Sequence, residues 1–205
     1  MLTMLGLECV RGSRTLFSQL NVELDKGELL HLRGPNGSGK TSLLRMLCGL
    51  TSPTQGEIRW NGHNIRTLGD EYHGAFLYVG HANALKDELS AAENLMTLCA
   101  LAGEPVDQGR VSAALENIGM HGTPALPAKY LSQGQKRRAA LARLALSNRP
   151  LWILDEPLAA LDRGAARWVG TTLVKHSQNG GMAVVTTHQD LDVAGVPMRE
   201  LVLGT

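Results

Sequence analysis

The chain has 205 residues, 43% hydrophobic and 19% charged, enough apolar material for one globular domain. A formal net charge of +1 excludes both a broad electropositive face for a nucleic-acid backbone and an acidic tail. No apolar run approaches the roughly 20 residues of a membrane span, and Met1 to Val10 lacks a basic start and a signal core, so any membrane connection is expected to run through a partner.

The N-terminal third reads as β. "NVELDKGELLHLRG" offers two strands around the turn at Asp25-Lys26-Gly27, the second ending at Gly34. "KTSLLRMLCGL" has helical spacing and stops near Gly49, with Pro53 beyond it. "GEIRWNGHNI" alternates around Asn61-Gly62, a strong short hairpin signal. "FLYVGH" is an apolar run that halts on Gly80-His81, and from residue 89 to 148 the chain turns helical. "ELSAAENLMTLCALAG", "GRVSAALENIGM" and "SQGQKRRAALARLALSN" are the three expected helices of that stretch. Then come strand "LWILDE", helix "RGAARWVGTTLVKHS", the stop Asn179-Gly180-Gly181, strand "MAVVTTH" and a terminal "RELVLGT". Strands alternating with helices predict an α/β fold with a doubly wound, mostly parallel sheet. A single domain over 1–205 is expected, with an antiparallel β part at 1–33 and 55–66 and an inserted helical part at 89–148. Cys9, Cys48 and Cys99 form no CxxC pair, the pattern of buried thiols in a reducing compartment.

Gly34-Pro35-Asn36-Gly37-Ser38-Gly39-Lys40-Thr41 fits GxxxxGK[ST] in full, between an expected strand and an expected helix. Glycines let such a loop turn its backbone N–H groups onto phosphate, and the helix offers its positive end to the same anion. Lys40 is placed to reach the β- and γ-phosphates and Thr41 to hold Mg²⁺. "LWILDEP" is an apolar strand ending in two carboxylates, costly unless a cation or water waits there. Beside a phosphate loop, Asp155 is the candidate partner of Mg²⁺ through its water shell, and Glu156 the candidate base for an attacking water. The plainer alternative is an acidic pair capping a helix. Ser132 followed by Gln135 is a capping box, and with Gly134 the same helix start makes a second anion site.

The ordered series of P-loop, "LSQGQ", "ILDEP", "AALD" and "TTHQ" resembles the ATP-binding cassette family over nearly the whole chain. The resemblance implies a P-loop ATPase that uses ATP and Mg²⁺ and works as a homodimer. Ser132, Gly134 and Gln135 would belong to the signature loop that closes over ATP held by a second protomer. Asp162 would lie at the dimer seam, although a solvated acid at a helix start is the alternative. His188 matches the switch histidine that contacts the γ-phosphate. Two positions depart from the pattern. Val10-Arg11-Gly12 stands where an adenine-stacking aromatic is usual, leaving Arg11 or Phe17 as candidates for the base. His81 stands where the family has a glutamine that ligates Mg²⁺ and senses the γ-phosphate. An imidazole favours a water-bridged contact over direct ligation of Mg²⁺, and it titrates near neutrality. The alternative is that His81 merely caps its strand.

"GHANALKDELSAAENL" and the missing adenine aromatic resemble the cytochrome c maturation branch of the family, the haem exporter ATPases. That implies a peripheral subunit on the cytoplasmic face of the bacterial inner membrane, bound to a CcmB-like integral subunit with CcmC- and CcmD-like proteins. Another small-molecule importer or exporter is the second reading. A nucleotide switch or nucleic-acid ATPase is the third, disfavoured by the near-neutral charge, the missing Asn-Lys-x-Asp, and the lack of a coiled insertion or tandem cassette.

Overall fold

The computed structural model describes residues 1–122 and 125–204. Two sheets organise them. Strands β1 (Leu2–Arg11), β2 (Arg14–Leu24), β4 (Gln55–Trp60) and β5 (His63–Asn64) form an antiparallel sheet in the order β2-β1-β4-β5. Strands β6 (Phe76–Val79), β7 (Leu151–Asp155), β8 (Met182–Thr186), β3 (Leu29–Arg33) and β9 (Met198–Val202) form a parallel sheet in that spatial order. β3 therefore leaves the antiparallel part expected for 1–33, and the turn at Asp25-Lys26-Gly27 carries the chain from one sheet to the other. The hairpin at Asn61-Gly62 forms as expected, with positive φ at both residues (+50° and +85°), the geometry of a type I′ turn.

The central strands β7 and β8 are buried along their whole length because both faces of the sheet are covered, whereas the edge strand β9 is largely exposed. Side chains alternate between two cores. Leu151, Ile153 and Val184 join Leu2, Met4, Leu43, Leu47 and Tyr72 on one side. Trp152, Leu154, Ala183 and Val185 join Leu95, Leu115, Leu141 and Leu173 on the other. Helix α1 (Lys40–Leu47) lies in the first core; α4 (Ala91–Leu101), α5 (Gln108–Asn117), α6 (Gln133–Leu141) and α7 (Arg163–Gln178) contribute to the second. Short helices α2 (Ile65–Leu68) and α3 (Asp70–His73) have no clear sequence signal, because four residues make barely one turn and cannot show a recurring apolar period. The helix expected through Asn148 is α only to Leu141 and then tightens to 3₁₀ at Ala142–Ala145. All three cysteines are buried and free, and burial pushes the Cys48 thiol up to about 12. Among the described residues, no helix is long and apolar enough to cross a membrane.

Candidate nucleotide site

The carboxyl ends of β3, β6, β7 and β8 deliver their following residues to one edge of the parallel sheet, where open α/β folds bind ligands. There a cavity of about 700 Å³ is lined by Asn36, Gly37, Gly39, Lys40, Thr41, His81, Asp155, Glu156 and His188. Each of these nine is a candidate in the sequence, and four of them, His81, Asp155, Glu156 and His188, come from three segments far from the P-loop. His81 lies two residues beyond β6 and His188 two beyond β8, so each is held by a short tether rather than by the sheet itself.

The loop 34–39 is shaped by its glycines. Gly34 has φ +141°, and a Cβ there would sit 2.3 Å from the Leu203 carbonyl oxygen. Gly34→Ala is therefore expected to destabilise the fold by about 1–3 kcal/mol, read as a lowered urea midpoint; an unchanged midpoint would show that the loop relaxes freely. Gly39 (φ +102°) begins α1 with no side-chain cap, so first-turn N–H groups remain available to an anion. Lys40 folds back over the loop, its Nζ donating to the carbonyls of Gly34 (2.7 Å) and Pro35 (3.1 Å).

Asp155 is 3% exposed, and its two carboxylate oxygens accept from Thr186 Oγ1 (2.9 Å) and Thr41 Oγ1 (3.3 Å). Among the described residues no cationic side chain pairs with it. A buried carboxylate beside a hydroxyl, its oxygens ion-paired by no described side chain, fits a hard dication that takes oxygen ligands and keeps its water. Glu156 follows in a left-handed conformation (φ +49°), a strained setting for a side chain. Its N–H donates to both the backbone oxygen and Oγ1 of Thr186, and its Oε1 lies 3.4 Å from His188 Nε2. The acidic pair thus caps no helix: β7 ends at Asp155, and the next helix, α7, starts at Arg163.

The signature segment keeps its plain role and gains a neighbour. Ser132 caps α6, accepting from the Gln135 N–H (3.2 Å) while Gln135 Oε1 accepts from the Ser132 N–H (2.8 Å). Gly134 sits against the 159–162 loop, where a Cβ would come within 3.0 Å of the Ala160 carbonyl oxygen. Asp162 caps α7 through the Ala165 N–H and pairs with Arg138; that N–H first, and Arg138 after it, hold its carboxyl below the usual range. Within one chain, Ser132, Gly134, Gln135 and Asp162 stand apart from the cavity lining.

Three features escaped the sequence. Leu16, not Phe17 or Arg11, lines the cavity, because strand alternation turns Phe17 into the core, where its ring would meet a Cβ on Gly39 at 3.1 Å. Thr186 braces both carboxylate residues, a role hidden in an apolar strand. Arg137 is 4% exposed and donates to the carbonyls of Asp155, Glu156 and Gly80, each at 2.8 Å. Burial pulls its guanidinium below its ordinary value, opposed by Asp155 and Glu156. An arginine inside an alanine- and leucine-rich helix was the available signal.

Known proteins agree with this geometry. The family described as ABC transporter matches residues 17–159. The cytochrome c biogenesis ATP-binding export protein CcmA of Nitrosospira multiformis is 52% identical over 199 residues, covering 97% of each chain. Its namesake in Dechloromonas aromatica is 53% identical, over 97% of this chain and 98% of its own. Among solved structures, an ATP-binding cassette captured as a dimer in a post-hydrolysis state with ADP and Pi superposes with a TM-score of 0.83. It is 26% identical, with 99% of this chain and 94% of that one covered. An ABC transporter ATP-binding protein from Pyrococcus furiosus gives the same TM-score at 25% identity, over 98% and 96% of the two chains. With a P-loop, two carboxylates and a histidine converging at one sheet edge, the chain belongs to the ABC transporter family, as an ATP-binding cassette subunit of the CcmA group.

Proposed function

We propose that this chain hydrolyses ATP to ADP and phosphate to drive an export complex of cytochrome c maturation, the haem exporter type. The observation that carries the reading is the convergence of Lys40, Thr41, Asp155, Glu156 and His188 on one cavity. The backbone of Gly34, Pro35, Asn36, Gly37, Ser38 and Gly39 cradles the phosphates, and Lys40 swings from its own loop onto the β- and γ-phosphates. Thr41, through its hydroxyl, and Asp155 would hold Mg²⁺, which would supply positive charge against the phosphates. Glu156 takes a proton from the attacking water as its oxygen bonds to the γ-phosphorus and the bond to the bridging oxygen of ADP breaks. His188, beside Glu156, donates to the γ-phosphate. His81 meets the same phosphate through water.

Ser132, Gly134 and Gln135, which do not line their own chain's cavity, serve the nucleotide of a second copy, with Asp162 at the seam. A homodimer with two such shared sites is the working form, a reading supported by a cassette of similar structure that is a dimer with ADP and Pi bound. The membrane partner is a CcmB-like integral subunit with CcmC- and CcmD-like proteins, and the chain sits on the cytoplasmic face of the inner membrane. The CcmA relatives support this assignment.

Purification of the native complex tests the partner: a CcmB-like subunit is expected with this chain, and a different transmembrane subunit would move the assignment to another exporter or importer. His81→Gln tests the sensor. Turnover is expected to persist, because an amide can meet the same water as an imidazole. His81→Ala, which has no polar group to offer that water, is expected to lower kcat about tenfold, and an alanine variant as fast as wild type would return His81 to a strand cap.

A further inference from the structure

We infer that Arg137 is a positioning residue for ATP hydrolysis: from the signature helix it holds the catalytic-carboxylate loop and the His81 loop in one fixed arrangement. The inference rests on the proposed hydrolysis at Glu156 and adds a residue that the P-loop, signature and switch motifs do not include.

One guanidinium reaches two loops. Nη2 donates to the Asp155 and Glu156 carbonyls at 2.8 Å, and Nη1 to the Gly80 carbonyl at 2.8 Å and Asn83 Oδ1 at 3.3 Å. Gly80 immediately precedes His81, and Glu156 is the candidate base, so the two groups facing the γ-phosphate from different strands share one donor. The planar fork of arginine suits acceptors on two sides, whereas an ammonium is a point charge. The backbone of Glu156 is then held at both ends, its N–H by Thr186 and its carbonyl by Arg137. Two such bonds can keep a non-glycine residue at φ +49°, which without them would relax toward commoner conformations.

The helix strengthens the link. Lys136, the residue before, pairs with Asp87 at 2.9 Å, farther along the loop that starts at His81. Asn94, 2% exposed, closes the end of that loop by accepting from the Lys86 N–H and donating to the carbonyls of Lys86, Leu89 and Ser90. The segment from Gly80 to Ser90 is thus fastened to α6 near its start and middle and to α4 at its end. Ser132, the N-cap of α6, is the group offered to a second copy's nucleotide. A shift of α6 on docking would carry Arg137 with it and re-aim Glu156 and His81 together.

The test uses the full chain in its membrane complex with steady-state ATP hydrolysis. Arg137→Lys is expected to lower kcat about 30-fold, the scale of a misplaced catalytic group, with KM for ATP changed less than about twofold. In a Glu156→Gln background the same substitution is expected to change residual single-turnover hydrolysis less than about twofold, because there is no base left to aim. A general structural role would instead lower the urea midpoint, raise KM, and add its full loss in both backgrounds; that pattern overturns the inference. Arg137→Gln, uncharged and able to keep part of the hydrogen bonding, supplies a second variant if Arg137→Lys does not assemble, with the same split between kcat and KM expected. Wild-type turnover separates the two levels. A variant as fast as wild type removes Arg137 and leaves the ATPase standing, whereas a wild type without turnover overturns both.

Discussion

Glu156→Gln is expected to lower ATP turnover by about 10²–10⁴-fold, the contribution of a positioned general base, while ATP binding stays within about twofold. The amide keeps the shape of the side chain and its 3.4 Å approach to His188 but cannot take a proton at the attacking water. The surroundings should survive the change, because Glu156 is held through its backbone, by Thr186 and Arg137, and among the described residues its carboxylate pairs with His188 alone. Two consequences can be measured on one preparation. Phosphate release should nearly stop, and ATP should accumulate on a dimer that no longer reopens, visible as a shift from monomer to dimer in size-exclusion chromatography with light scattering. Turnover near the wild-type rate would remove Glu156 from the chemistry and leave His188 as the group to test. A loss of ATP binding together with turnover would mean instead that the carboxylate supports the cavity wall.

Legibility of this site in the sequence followed from how each residue is placed. The P-loop was readable because glycines at fixed offsets, a lysine and a threonine are all required by phosphate chemistry, and because the flanking strand and helix were visible. Asp155, Glu156 and His188 were readable because polar residues ending buried apolar strands need a reason to be there. His81 shared that pattern. What the sequence hid was what depends on tertiary contact. Arg137 is one turn and a half into a helix, and nothing local says that its guanidinium crosses to Gly80 and Glu156. Thr186 is a β-branched residue in a β-strand, unremarkable until Asp155 is beside it in register. Phe17 illustrates the converse: an aromatic near the site was a reasonable base-stacking candidate, and strand alternation put its neighbour Leu16 in the cavity instead. β3 was visible as a strand, but its sheet was not, since pairing with β8 and β9 is set more than a hundred residues downstream.

Lys40→Met is expected to weaken ATP binding about 10–100-fold, the range of one charge-assisted hydrogen bond of about 1.5–3 kcal/mol, and to lower kcat/KM about 10³-fold. The ammonium donates to the Gly34 and Pro35 carbonyls and so closes the loop upon itself. Bound triphosphate would offer better acceptors, and the exchange of two neutral carbonyls for charged oxygens is where the binding energy arises. Methionine keeps the unbranched stem and its packing but has no donor. The contrast between nucleotides identifies the contact. ATP and ADP both present β-phosphate oxygens, so both should lose affinity, with ATP losing more because its γ-phosphate is also met. Titration calorimetry on the full chain measures each affinity directly. Urea unfolding separates a second possibility, since a lysine that served only to brace Gly34 and Pro35 would leave nucleotide affinity nearly unchanged and lower the midpoint. Equal losses for ATP, ADP and AMP would also defeat the assignment, because AMP has no β-phosphate for Lys40 to hold.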